Sequence, residues 1–245
     1  MGGIGRVARS RWAILLAAGA GLAAGSVASR AAAGDPDRAA IEAIVHDYIL
    51  AHPEIIPQAI EELRTRQTKA AIDADRSAIE TPFAGAWAGN PKGDVTLVMF
   101  SDYACPYCKA SGPEVDRLLA EDPKLKVVWR EIPVLGPQSE AAARDALAAA
   151  KQGRYLPFHR ALLAASGRPD EETVAAVGRG AGLDPAKLAV AGTAPDIAAE
   201  IAHNLALAGK LGIDGTPTFV VGDRMLSGAV GYEALKAAIA AVRRG

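Results

Sequence analysis

Cysteine is nearly absent: the 245 residues hold two, Cys105 and Cys108. A secreted scaffold stapled by disulfides would need more, so this fold has to rest on its apolar core. The same count leaves no four-thiolate zinc site, and the histidines at 46, 52, 159 and 203 are too scattered to complete one. Half a zinc site, or Cu(I) on two soft thiolates, stays chemically open, but redox chemistry needs only the pair itself, so no metal is expected. An excess of one charge sign is also missing. The formal net charge is −1, which offers no electrostatic case for a nucleic-acid partner. Beyond residue 24 no apolar run is long enough to span a bilayer, and no solenoid repeat recurs. With 50% hydrophobic and 22% charged residues, the composition is that of a folded chain of one or two domains.

The front end is different in kind. Arg6, Arg9 and Arg11 form a positive region, Trp12 to Ala24 an apolar one, and Ser26-Val27-Ala28 and Ala31-Ala32-Ala33 both fit small-x-small cleavage. Residues 1–33 are therefore expected to be a signal peptide that exports the protein to the periplasm, with a retained anchor as the alternative. No cysteine follows to accept a lipid. Four of the 27 basic residues lie in this segment, where no acid occurs. The remainder carries 23 basic against 28 acidic residues, a formal −5.

Asp35-Pro36 reads as the N-cap and first position of a helix. Ile41, Ile44, Val45, Tyr48 and Ile49 fall on one face of it, and Pro53 ends it. A second helix is expected from near Pro57, with Ile60 and Leu63 apolar, running through the polar stretch Arg64 to Arg76. Residues 34–80 thus read as an N-terminal helical region whose apolar stripe needs a partner. A second copy of the chain is one answer, and folding back on its own domain the other. Residues 81–94, rich in Pro and Gly, read as a linker. Val95–Phe100 (VTLVMF) reads as a buried strand, Pro106–Leu119 as a helix and Leu125–Ile132 as a second strand. Residues 138–211 read as an Ala-rich helical block broken at Gly153, Gly167-Arg168-Pro169, Gly182 and Ala194-Pro195. A hairpin turning at Gly222-Asp223-Arg224 follows, then a helix from Tyr232 to Arg244.

Cys105-Pro106-Tyr107-Cys108 sits where the first strand hands over to a helix. A helix N-terminus presents unpaired N–H groups and the positive end of the dipole, which favour a thiolate. Two intervening residues let the second sulfur reach back one turn later. Pro106 fits the first turn because its missing N–H would be unpaired there anyway. Cys105 is expected to attack a substrate disulfide and Cys108 to resolve the mixed disulfide. Gly215-Thr216-Pro217-Thr218 precedes the strand that starts at Thr218. A cis bond before Pro217 is chemically accessible, while base rates favour trans.

FSDYACPYC, PVLGPQSEAAARDALAA, QGRYLPFH and GIDGTPTFVV, in that order from about Val95 to the C-terminus, resemble the DsbA-like branch of the thioredoxin superfamily. The resemblance implies an α/β thioredoxin fold over residues 81–245 with a helical insertion at about 138–211. It implies a substrate-binding cis-proline loop at Thr216-Pro217, and no cofactor beyond the redox-active Cys105–Cys108 disulfide. HDYILAHPEIIPQAIEEL resembles the N-terminal region of suppressor of copper sensitivity protein C and Com1-type proteins. That likeness implies a homo-oligomer with disulfide isomerase or reductase activity on cysteine-containing exported proteins, served by a membrane redox partner, either a reductant or a quinone-linked oxidant. A dithiol oxidase, a Cu(I)-binding stress protein and a surface antigen with incidental thiols are the other readings. Many relatives carry a buried acid six residues before the first cysteine; here that position is Met99. Asp102 and Glu131 are nearby acids, read as solvated strand-end charges. His159 reads as a packed or surface histidine, Tyr107 as exposed, Trp87 as a boundary residue and Ser139 as a helix-start residue.

Overall fold

The computed structural model describes residues 37–244, so the expected signal peptide and the Asp35-Pro36 cap lie outside the described residues. The described chain divides at Pro53 into two compact units, which parts the region expected over 34–80. In the first, helix α1 (Arg38–Ala51) is capped by Asp37, whose carboxylate accepts from Ala39 N at 3.3 Å. It buries no residue, and Ile41, Ile44, Val45 and Tyr48 are exposed.

The second unit begins with α2 (Ile55–Glu80), whose first turns leave Ile56, Ile60 and Leu63 exposed. Strands β1 (Trp87–Gly89), β2 (Val95–Ser101), β3 (Leu125–Glu131), β4 (Thr218–Val221) and β5 (Arg224–Ser227) form one sheet of order β1-β3-β2-β4-β5. Only β2 and β3 run parallel; α3 (Pro106–Glu121) makes their crossover. A segment read as linker thus contributes an edge strand. Three residues ending in a glycine are too few for an alternation to register, and β1 exists because Trp87, Ala88 and Gly89 pair with Val128, Val127 and Lys126. At the β4–β5 turn Gly222 has φ +58°, and a Cβ there would lie 2.5 Å from Val242. This explains why glycine holds that corner.

The period-two alternation of VTLVMF sends Leu97 and Met99 to one side of the sheet and Val98 and Phe100 to the other. On the first side they meet α3, the C-terminal helix α9 (Tyr232–Arg244) and most of the insertion. On the second they meet Ile72 and Ile79 of α2 and Leu207, Ala208 and Leu211 of the last insertion helix. Both isoleucines are fully buried, worth about 1.5–3 kcal/mol each. The second half of α2 is therefore part of the second unit's core.

Two cations of β3 fix that half. Arg130 is buried and donates to the carbonyls of Ala78, Ile79 and Thr81, while Lys126 Nζ donates to Glu80 O at 3.2 Å. These carbonyls end α2 and would otherwise be orphaned. Glu200 Oε1, 2.8 Å from Arg130, and Asn204 Oδ1, at 3.1 Å, complete the guanidinium's partners.

The insertion is five helices: α4 (Pro137–Lys151), α5 (Tyr155–Ala164), α6 (Glu171–Gly180), α7 (Pro185–Gly192) and α8 (Pro195–Leu211). They break where the glycines and prolines predict, with Asp170 and Asp184 capping α6 and α7. In α4, Asp145 lines a cleft of about 770 Å³ and burial pushes its carboxyl up to about 6. A raised carboxyl stabilises the fold below its unfolded value and loses that contribution as pH rises through 6. Asp145→Asn should therefore match the parent near pH 4 and exceed it above pH 6, by about 1–2 kcal/mol after discounting for partial exposure. Urea unfolding at the two pH values measures this, and a constant difference would show that Asp145 does not titrate with folding.

Candidate active site

β2 ends at Ser101, and Asp102-Tyr103-Ala104 turn the chain into α3, whose N-cap is Cys105 and whose first residue is Pro106. Asp102 organises this turn. Its carbonyl accepts from Cys105 N at 3.1 Å and its Oδ1 from Ala104 N at 2.7 Å and Ser139 Oγ at 2.6 Å. Its Oδ2 accepts from Val134 N at 2.9 Å and Leu135 N at 3.0 Å. Val134 and Leu135 are exposed, so one carboxylate ties the dithiol turn to an apolar loop beside it.

Antiparallel pairing of β4 with β2, Thr218 opposite Phe100, brings the Thr216–Pro217 bond, which is cis, to the same place. The Cys105 thiol donates to Thr216 O at 3.2 Å. The structure thus gathers Cys105, Pro106, Tyr107, Cys108, Thr216 and Pro217 at one end of the sheet. Tyr107 is 64% exposed, whereas Cys108 is wholly buried beneath the turn. Burial pushes the Cys108 thiol up to about 12, against the backbone at Asp102 and the Thr216 and Ser101 side chains, which ease its ionisation; the neighbouring Cys105 sulfur adds to the rise. Lys109, next in α3, donates to Ala165 O and Gly167 O, both at 2.6 Å, and so tethers the insertion to the active-site helix.

The expectation of solvated charges at Asp102 and Glu131 is overturned: they are 1% and 0% exposed. The strand ends are roofed by the insertion. Ser139 of α4 reaches Asp102, so its hydroxyl serves this carboxylate. From α5, Tyr155 OH donates to Glu131 Oε1 at 2.6 Å, and Tyr103 OH donates to the same oxygen at 2.7 Å. His159 Nδ1 lies 2.8 Å from the Tyr103 oxygen and 3.1 Å from that of Tyr155. His159 is thus packed, as read, but inside a polar cluster. Burial, then the nearby Glu131, holds both phenols far above their usual range. Ser101, Tyr103 and Tyr155 were not singled out in the sequence. The strand alternation carried a signal for the first, since Leu97, Met99 and Ser101 share a face. Among the described residues, no group of three or more His, Cys, Asp or Glu is placed to hold a metal ion.

A mostly antiparallel sheet with one parallel crossover, a C-x-x-C pair opening a helix at its end and a cis-proline facing the first sulfur define a class: the thioredoxin-fold thiol–disulfide oxidoreductases. Residues 96–240 match the family described as DSBA-like thioredoxin domain, and the chain belongs to it. Residues 37–70 match the copper resistance protein ScsC N-terminal domain. A thioredoxin-like oxidoreductase from Silicibacter pomeroyi is 44% identical in sequence, with a TM-score of 0.67 over 69% of this chain and 98% of that one. A linker-deletion mutant of Proteus mirabilis ScsC is 27% identical, with a TM-score of 0.71 over 88% and 99%. Among curated proteins, the Na(+)/H(+) antiporter NhaA 1 of Salinispora arenicola is 33% identical over 69% of this chain. The chain spans about a quarter of that relative's length.

Proposed function

We propose that this protein is an exported, periplasmic enzyme that exchanges disulfides with cysteine-containing proteins through Cys105 and Cys108, working as an isomerase or reductase. The observation that carries the reading is the Cys105 sulfur at the N-cap of α3, 3.2 Å from the carbonyl of the residue before the cis-proline. Cys105 attacks a substrate disulfide, supported by the unpaired amides of the helix start. The substrate strand lies along Thr216-Pro217 as an added β-strand. Cys108, out of reach of any substrate, then resolves the mixed disulfide. The redox pair is itself the cofactor, and a membrane partner resets it. No helix among the described residues is long and apolar enough to cross a membrane.

Isomerisation requires a substrate to be held through several exchanges, which an oligomer with several dithiols favours. The exposed apolar residues of α1 and, separately in the second unit, Ile56, Ile60 and Leu63 of α2 are each proposed to help assemble copies. Refolding of scrambled ribonuclease tests this with the mature protein and with a form lacking residues up to Pro53. The cut spares Ile72 and Ile79. Truncation should lower the solution mass to that of a monomer and abolish isomerisation, while insulin reduction persists. Isomerisation unchanged by truncation would defeat the assembly role. A pair held mostly as disulfide in the cell would point instead to an oxidase of the same fold. Cu(I) binding without any exchange would mark a metal-sequestering protein.

A further inference from the structure

The helical insertion holds the cleft of about 770 Å³ noted above, and the exchange chemistry does not use it: none of Cys105, Cys108, Thr216 and Pro217 lines it. Its walls come from α4, α6 and α7, and much of what they present is apolar, including Val174 and Ala175 of α6 and Leu188 and Ala189 of α7. Apolar clefts of about 300–1,000 Å³ with a few placed polar groups are the usual form of a small-molecule site. Here the placed group is Asp145 of α4. Its side chain is half-buried and makes no hydrogen bond or ion pair among the described residues. A carboxylate moved out of water into apolar surroundings costs free energy unless a partner is supplied.

The neighbouring cation does not supply it. Arg144 Nη2 and Nε donate to Glu140 Oε1 at 2.7 and 3.0 Å, and its Nη1 lies 3.5 Å from Gly192 O. The backbone leaves room for the Asp145 carboxylate, since a Cβ on Gly192 would stand 2.9 Å from its Oδ1. Helix α7 ends at that glycine, so the negative end of its dipole adjoins the same oxygen. From α6, Glu171 adds a second carboxylate, and no basic residue of α6 or α7 lines the cleft. Helices α5 and α8 also pack on α4 and contribute no residue to it.

We propose that this cleft binds a small organic cation, a protonated amine on an apolar chain, with its ammonium on Asp145 and its chain against Val174 and Leu188. The match is of both charge and surface. A neutral apolar molecule would leave the carboxylate unpaired, and an anion would be repelled by Asp145 and Glu171. A bare metal ion would leave the apolar walls uncovered, and no group of three or more His, Cys, Asp or Glu is placed to hold one among the described residues. An aliphatic amine keeps its proton to about pH 10, as lysine does. The titrating partner is therefore Asp145, whose carboxyl burial pushes up to about 6 and which must ionise to pair. Affinity should rise about tenfold per pH unit below pH 6 and level off above it.

The test titrates hexan-1-amine into the mature protein and follows its amide and methyl signals by nuclear magnetic resonance, with hexan-1-ol as the neutral twin. Saturable shifts at Val174, Leu188 and Gly192, with that pH profile, are expected. The alcohol on the parent, and the amine on Asp145→Asn, should each bind at least about tenfold more weakly. Asp145→Asn is expected to be the more stable protein above pH 6, so affinity lost there is not a lost fold. Gly192→Ala is the second variant: its added Cβ displaces the carboxylate and should weaken binding with every charge kept. Absence of saturation up to about 10 mM amine overturns the site. So does equal affinity in parent and Asp145→Asn, or a set of shifts spread over other acidic surfaces. No outcome depends on Cys105 or Cys108, so the site stands or falls apart from the exchange reading.

Discussion

Cys105→Ser is expected to abolish disulfide exchange, by at least about 10³-fold, because a hydroxyl at the N-cap cannot supply the nucleophile that a thiolate does. Cys108→Ala should do something different. Cys108 is wholly buried, with the Cys105 sulfur as its neighbour. The variant should still attack substrate and then stall, accumulating as a mixed disulfide visible on a non-reducing gel and released by dithiothreitol. Insulin reduction reads the first variant. Turnover by Cys105→Ser near the parent rate would place the nucleophile elsewhere. A Cys108→Ala variant that forms no adduct would mean that the buried thiol is needed before attack, contrary to its position. The contrast follows from position: the two sulfurs are one helical turn apart, Cys105 is 4% exposed and donates to the Thr216 carbonyl, and Cys108 is 0% exposed beneath it.

Arg130→Ala should cost about 3–5 kcal/mol of stability, the range for breaking a buried pair. The loss has three parts. Glu200 keeps a carboxylate without its cation, Asn204 loses a donor, and the carbonyls of Ala78, Ile79 and Thr81 are left unpaired at the end of α2. With that end released, Ile72 and Ile79 lose their hold on Val98, Phe100 and Val128. Arg130→Met keeps the length of the side chain but not its donors, and should be nearly as destabilising. Denaturant unfolding gives the stability, and limited proteolysis between residues 64 and 86 reports whether α2 lifts first. A loss below about 1 kcal/mol in both variants would mean that packing alone docks the helix.

Much of the fold is legible in the order of residues alone. VTLVMF declares a strand buried on both faces, the glycines and prolines at 153, 167–169, 182 and 194–195 divide the insertion, and Cys105-Pro106 marks a helix start. These signals are local, and the chemistry they encode acts over one turn or one strand. Even the inward direction of Ser101 and Glu131 is present in the alternation of their strands. The misreading of Asp102 and Glu131 has a definite cause. A charge at a strand end is solvated unless something covers it, and the cover comes from α4 and α5, reached only after the insertion folds back.

What the sequence determined by itself is the repeat of apolar positions, the helix boundaries and the thiol pair at a helix start, since each depends on residues a few places apart. The tertiary structure decided the rest: Cys105 against Thr216, 111 residues on, Asp102 under Ser139, 37 residues on, and Tyr103 on Glu131, 28 residues on. Strand register and the folding of the insertion bring those groups together. Burial belongs to whatever lies over a residue, and so it cannot be read from the residue or its neighbours in the chain.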